Sequence, residues 1–346
     1  MKNHRNRTIT SAAALLIAAL LLCHGALAPA ARAQAASAES LVHAVTAVLP
    51  LSWFSEMDSL NQRHGIRYDE RGKRGGTAAW ARVRGEKFNF NKKLTGATFG
   101  QFHYAAEAGL DYKITDGPDH VYLGAFAGCG RVERDCSARG DATSDSAFGG
   151  ISATIIKQNG WYVDAVGKYN NFKNRFTVIA SETDRAKTTY HNSALGGSLE
   201  IGKYIEAPFG LSFKPQIQAA FTTITGATCP IGGFSMKQHN ATTARARAGF
   251  MLGHVIDDKD HGIFIIYLKA YYGQQWTTDG KLYVTPAAGG ASSRFITAIK
   301  GDSLEAGAGV SWYFTRFSQL YLDYSATKAE HYKKPLGINL GIRHSW

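Results

Sequence analysis

Past its first three dozen residues, this 346-residue chain has no apolar run long enough to cross a bilayer as a helix, which takes about 20 residues. Any membrane span must then be made of strands. Cysteine is scarce, with four in all, and the twelve histidines are scattered rather than set at ligand spacing. No metal site is therefore assigned, and no cofactor is expected. Acidic residues are outnumbered, 27 to 39, leaving a net charge of +12. A basic chain invites nucleic acid as a partner. Here the positives are interleaved with acids rather than gathered in one patch, so nucleic acid is set aside.

The amino end explains part of the charge. Lys2, Arg5 and Arg7 precede an uncharged apolar run from Ala12 to Leu22, and Ala31-Arg32-Ala33 fits a small-residue cleavage site. Residues 1–33 thus read as a secretory signal peptide, too short in its apolar part to be an anchor. Leu22 stands where lipoprotein processing at Cys23 would need a small residue, so that route is set aside. Removing Lys2, Arg5, Arg7 and Arg32 lowers the net charge from +12 to +8.

What the chain does contain is alternation. From Gly76 onward, twelve segments place apolar and polar residues in turn, the period of a β-strand with one greasy and one wet face. They cover Gly76–Phe90, Phe99–Lys113, His120–Arg131, Ser144–Lys157, Trp161–Phe172, Ser193–Tyr204, Leu211–Thr222, Thr242–Val255, Ile263–Trp276, Ser303–Phe314, Ser318–Thr327 and a last one ending at Trp346. In that last segment Leu336, Ile338, Leu340, Ile342 and Trp346 share a face, which only His344 interrupts. Connections after even segments are short, as in Gln158-Asn159 and Thr315-Arg316. Those after odd segments are longer and polar, as in Glu133–Thr143, Thr177–Thr189, Gly226–Ala241 and Thr277–Asp302. An even count with short turns at one end and long loops at the other is the asymmetry of outer-membrane barrels. A soluble β protein alternates too, but loop asymmetry and a terminal aromatic favour the membrane. The fold expected is all-β: a twelve-stranded antiparallel transmembrane β-barrel.

Ahead of the strands, Leu41, Val42, Val45, Val48 and Leu49 follow helical spacing, and after Pro50 so do Trp53, Phe54, Met57 and Leu60, with Gly65 as a stop. This N-terminal helix lies in or near the pore. A twelve-stranded barrel encloses more room than its own side chains fill. Glu56 and Asp58 would then meet basic lumen residues such as Arg82, Arg245 or Arg247. A periplasmic amphipathic helix is the alternative, and the sequence does not separate the two.

The order of helix, linker, twelve strands and terminal aromatic resembles the translocator domain of autotransporters, most closely the pertactin group. The matching residues are Leu51-Ser52-Trp53-Phe54-Ser55-Glu56-Met57-Asp58-Ser59-Leu60 with Arg63 and Gly65, then Gly75-Gly76 through Trp80-Ala81-Arg82, Gly160-Trp161-Tyr162-Val163-Asp164-Ala165, Ser198-Leu199-Glu200-Ile201-Gly202, Lys214-Pro215-Gln216 and Gly341-Ile342-Arg343-His344-Ser345-Trp346. His344 departs from the family, which usually has an aromatic ring there. The resemblance covers roughly Leu41 to Trp346. It implies residues 41–74 as pore helix and linker, residues 75–346 as barrel, and residues 34–40 as a short remnant where relatives carry a long passenger. It also implies an assembly signal in Asn339, Gly341, His344 and Trp346, read by the β-barrel assembly machinery and periplasmic chaperones. The expected location is the bacterial outer membrane after signal-peptide export, as a monomer in contact with outer-membrane lipid. Some relatives cut their passenger at an Asn in the pore helix; the one Asn of this segment is Asn61, near its far end, and that chemistry is not carried over.

Cys129 and Cys136 flank Arg131–Arg134, a spacing that permits a small disulfide ring in an oxidising compartment, with free thiols or pairing to Cys229 left open. An Asp/His protease would need side chains converging at the outer rim. Asp135, Asp184, His191 and His239 form no recognisable motif, and the chain is read as no enzyme. Three functions stay open: a translocator-type barrel without a sizeable passenger, a surface protein whose loops bind a host ligand, and a porin-like channel. The inward set mixes Arg82, Arg84, Lys168, Lys214, Arg245, Arg247, Lys269 and Arg343 with Glu107, Asp111, Asp164, Glu200, Glu305 and Asp323, which fits an internally paired lumen better than an open anion pore. Deleting Ser345 and Trp346 is expected to lower the amount recovered in outer-membrane fractions. Unchanged levels in a strain with normal proteolysis would remove Trp346 from assembly.

Overall fold

The structure is a computed structural model that describes residues 48–58, 60, 76–95, 98–115, 117–136, 140–179, 185–231, 233–258 and 260–346. The segment expected to be a signal peptide, residues 34–40, the helical positions Leu41, Val42 and Val45, and the linker with Arg63 and Gly65 lie outside the described residues. A helix, α1, occupies residues 48–58. Pro50 falls within it rather than separating two pieces. The strands are β1 (Ala78–Phe90), β2 (Phe99–Lys113), β3 (His120–Asp135), β4 (Gly140–Ile156), β5 (Trp161–Ile179), β6 (Arg185–Lys203), β7 (Ile205–Glu206), β8 (Leu211–Ile224), β9 (Ala227–Ile231), β10 (Phe234–Gln238), β11 (Ala241–Asp258), β12 (Gly262–Thr278), β13 (Lys281–Pro286), β14 (Ser293–Ile296), β15 (Gly301–Tyr313), β16 (Ser318–Ala329) and β17 (Tyr332–Ser345). A single helical turn, α2 (Lys92–Thr95), joins β1 to β2.

Twelve of these close a barrel in the order β1-β2-β3-β4-β5-β6-β8-β11-β12-β15-β16-β17, every pair antiparallel, and β17 returns to β1. The seam runs from Ala78 opposite Ser345 to Phe90 opposite Tyr332. The Trp346 N–H donates to the Thr77 carbonyl at 2.9 Å. Closure matters because hydrocarbon offers no water to satisfy a loose strand edge.

Alternation sets which side is wet. On β1, Arg82, Arg84 and Glu86 point inward and are buried, while Val83 is exposed. On β2, Gln101, His103, Glu107 and Asp111 face the lumen, and Phe102, Tyr104 and Leu110 face out. Ile151, Leu195 and Leu268 are each more than 55% exposed on the outer wall. That exposure is intelligible only against lipid. Among the described residues no helix is long and apolar enough to cross a membrane.

The long loops are where the structure departs from expectation. β5 and β6 are 19 residues each, roughly 60 Å along the strand, whereas a tilted strand crosses with about 10 residues. Much of 133–143 and 177–189 is therefore continued barrel wall, paired out to Asp135 opposite Asp141 and Ile179 opposite Arg185. Asp135 and His191 are accordingly strand residues, not loop residues; Asp184 lies outside the described residues. The segments 226–241 and 277–302 form a separate four-stranded sheet, β14-β13-β10-β9. Each of its strands carries its own short alternation, with Cys229, Ile231, Met236, Leu282 and Val284 buried. Those side chains join Phe88, Phe90, Phe99, Phe176, Val178, Tyr190 and Tyr332 of the barrel's inner wall in one apolar core. Phe90 and Phe99 stack at 4.4 Å within it. The outer part of the lumen thus holds an apolar core beside a buried polar ladder of Arg134, Ser144, Asn174 and Asn192, and the loop sheet caps it.

The same continuation separates two of the cysteines. Cys129 and Cys136 are not joined by a disulfide. β3 runs straight through Asp135, so positions seven apart point to opposite faces. Cys129 faces outward and is exposed, whereas Cys136 faces inward and is buried. Cys229 is buried in the loop-sheet core, and that burial pushes its thiol up to about 11. We expect identical migration of the folded protein with and without reductant. A membrane-permeant maleimide should label Cys129 first, leaving Cys136 and Cys229 until denaturation.

Candidate functional site

The site is the lumen and the helix inside it. α1 turns Leu49, Trp53, Phe54 and Met57 toward one stripe of the wall, where with Leu60 they pack on Phe126, Phe148, Val166, Phe172, Ala194, Ala220 and Ile224. Each such burial is worth on the order of 2 kcal/mol. The wall makes room at Gly196, where an added Cβ would stand 2.7 Å from the Trp53 ring. Trp53 and Phe54 meet edge to face at 5.4 Å.

Polar contacts then fix the helix in rotation and depth. The Glu56 carboxylate, wholly buried, accepts from Lys168 Nζ and Asn170 Nδ2 on β5, both at 2.6 Å, and from Ser146 Oγ on β4 at 3.2 Å. His103 Nε2 on β2 lies 3.7 Å from the same group. Lys168 also donates to the Trp53 carbonyl at 3.0 Å and sits 4.6 Å above the Trp53 ring. On the far side, the Asp58 carboxylate accepts from both terminal guanidinium nitrogens of Arg245 on β11, and Arg247 stands at 3.4 Å. Arg245 in turn covers the Phe54 ring at 4.5 Å. Ser55 donates to Glu86 on β1, and Glu86 pairs with Lys334 on β17 at 3.1 Å. Contacts from β1, β2, β4, β5 and β11 converge on Trp53, Phe54, Ser55, Glu56 and Asp58 of one helix.

Of the residues named from the sequence, Asp58 stands against Arg245 and Arg247. Arg82 meets Glu56 differently: its guanidinium donates to the Glu56 main-chain carbonyl at 3.0 Å and pairs with Glu107. Lys168, not Arg82, neutralises the Glu56 carboxylate. Sequence reasoning placed Lys168, Asn170, His103 and Glu86 on the wet faces of their strands without singling them out, and it passed over Ser146 and Lys334. Their inward parity was the available signal. In the last strand Asn339 faces the lumen, and Gly341 leaves space that the Tyr321 ring fills, since a Cβ there would overlap it. His344 accepts or donates to Ser318 Oγ at 2.9 Å and stacks with Trp346 at 6.2 Å. Among the described residues no group of His, Cys, Asp and Glu is placed to hold a metal ion.

A closed twelve-stranded barrel with a helix ion-paired inside its lumen defines a plugged, translocator-type β-barrel. The autotransporter beta-domain model matches residues 79–325, and the chain belongs to that family, whose barrels lie in the outer membrane. It is 27% identical over 323 residues to a pertactin autotransporter of Bordetella bronchiseptica, across 92% of this chain and 34% of the relative. The chain thus spans about a third of the length of that relative. In fold it is similar to the β-domain of the Bordetella autotransporter BrkA, with a TM-score of 0.68 at 20% identity over 79% of this chain and all of that one. The translocator domain of NalP from Neisseria meningitidis gives 0.64 at 14% identity over 85% and 98%.

Removing one side of a buried pair strands the other charge, at about 3–5 kcal/mol. Glu56→Ala, which strands Lys168, should lower the temperature at which the folded gel band is lost by more than Asp58→Ala, whose partners Arg245 and Arg247 keep some solvent. Adding Lys168→Met to Glu56→Ala should recover much of that loss; no recovery would place the cost elsewhere.

Proposed function

We propose that this protein is an outer-membrane translocator-type barrel that acts at the cell surface through its own loops, with its lumen held shut. The observation that carries the reading is closure at two levels. Mid-lumen, α1 is ion-paired to walls on both sides. Above it, the loop sheet and the aromatic inner wall share one apolar core that also takes in Val48 and Leu51 of the helix. A porin-like channel needs a continuous wet path, and apolar constrictions of this kind exclude water. The surface on offer is then the loop sheet, with Lys237 and Arg294 exposed on it, and a host surface ligand is its proposed partner. Export by the signal peptide of residues 1–33, insertion as a monomer by the β-barrel assembly machinery with periplasmic chaperones, and recognition of the last strand through Asn339, Gly341, His344 and Trp346 complete the reading. It involves no catalytic step.

Conductance in planar bilayers tests it. The intact protein should conduct poorly, and deleting residues 48–60 alone should open it little, because the outer core remains. Replacing the β9–β10 and β13–β14 segments with short turns in the same variant should give a large, steady conductance. If the intact protein conducts like that double variant, the channel reading prevails.

A further inference from the structure

The outer wall carries an unbalanced patch of charge where the apolar band ends. Lys328 on β16 and Lys333 on β17 are directly opposite in register, both pointing outward and exposed. Lys333 also pairs with Asn89 of β1, two residues from Lys87, which faces the same way. The three ammonium stems thus leave one surface at cross-strand and diagonal spacings of about 5 and 7–8 Å. Among the described residues no carboxylate pairs with any of them. The acids nearest in sequence are turned away: Glu86 points inward to Lys334, and Glu330 lies over Gly301. Like charges set directly opposite on a sheet destabilise it unless something negative lies between them. Elsewhere on the same rim the chain supplies that partner itself: Arg175 pairs with Asp145 at 2.6 Å and Arg131 with Glu133 at 3.1 Å.

What lies below the patch indicates its occupant. Directly beneath, on the same three strands and the adjoining β2, are the exposed Leu336, Tyr324, Val83 and Phe102. Tyr324 donates to the Pro335 carbonyl at 2.9 Å, and Lys87 Nζ stands 5.3 Å over the Phe102 ring. An amphipathic ring such as Tyr324 in this position marks the boundary of hydrocarbon and headgroup. The patch also lies at the long-loop end of the barrel, which faces outside. It looks sideways into the headgroup layer rather than upward into solvent. We propose that Lys87, Lys328 and Lys333 form a binding site for the phosphate-bearing headgroup of an outer-leaflet lipid, whose acyl chains lie on the apolar side chains beneath. Lysine serves here as a compact point charge able to share one phosphate among three donors.

The probe is diphosphoryl lipid A titrated into the purified full-length protein in non-ionic detergent. Each lysine removed should weaken binding about fivefold, the worth of one basic residue at an anionic surface. The Lys87→Gln, Lys328→Gln, Lys333→Gln triple variant should therefore bind far more weakly than the parent. The equally charge-reduced Lys157→Gln, Lys173→Gln, Lys187→Gln variant should bind like the parent; an equal loss there would mean diffuse attraction to a basic surface and overturn the site. Inorganic phosphate at matched concentration should fail to displace lipid A, and full displacement would overturn the lipid assignment. In lipid-free detergent the first variant should be at least as heat-resistant as the parent, since repulsion is relieved. A loss of heat resistance would make the lysines structural and overturn the proposal.

Discussion

Every backbone N–H and C=O at bilayer depth must find a partner within the protein, and the pairing of β17 with β1 is what makes that possible here. Once the ring closes, no strand edge is left to the lipid. The wall then has only two faces, and the period-2 alternation assigns each side chain to one of them. Val83, Leu195 and Leu268 are driven out to hydrocarbon, while Arg82, Glu107 and Lys168 are driven in. The close approach of Tyr321 to Gly341 packs the seam from inside.

Closure creates the next problem. Twelve strands surround more volume than their inward side chains occupy, and those side chains carry charges that cost several kcal/mol each if buried alone. The helix meets both demands. Its apolar stripe fills space against Phe126, Phe148 and Phe172, while Glu56 and Asp58 supply the negative charge that Lys168, Arg245 and Arg247 lack within the wall. Lys334, Glu86 and Ser55 extend the same network along β1 and β17. The helix is thus less an obstruction added to a finished barrel than part of what makes its interior consistent.

Toward the outside the chemistry changes. Strands that run well past the membrane need something other than lipid and charge to hold them, and their inward positions turn aromatic: Phe88, Phe90, Phe176, Tyr190, Tyr332. The loop sheet completes this second core with Met236, Leu282 and Val284. One barrel therefore holds two interiors in series, one ordered by ion pairs and one in which aromatic packing stands beside a ladder of neutral hydrogen bonds from Ser144 to Asn192.

The sequence by itself determined what depends on period and local chemistry. Strand identity, the inward and outward faces, the short-turn ends of all twelve strands to within three residues, and the helical character of residues 48–58 all follow from alternation or helical spacing. Asp58 with Arg245 and Arg247 was legible as charge matched to charge. Tertiary structure decided what depends on distance around the ring. Lys168 reaches Glu56 only because β5 stands beside the helix at that height, a relation between residues 112 positions apart. Cys129 and Cys136 part company because β3 continues straight where a loop was expected. Residues 226–241 and 277–302 are polar enough to pass for loops, yet each has a few apolar residues whose use appears only when the two segments meet over an aromatic barrel mouth. Periodicity reports the surroundings of a residue on its own strand; which strand lies across a twelve-membered ring is settled by closure and register, and no local pattern encodes that.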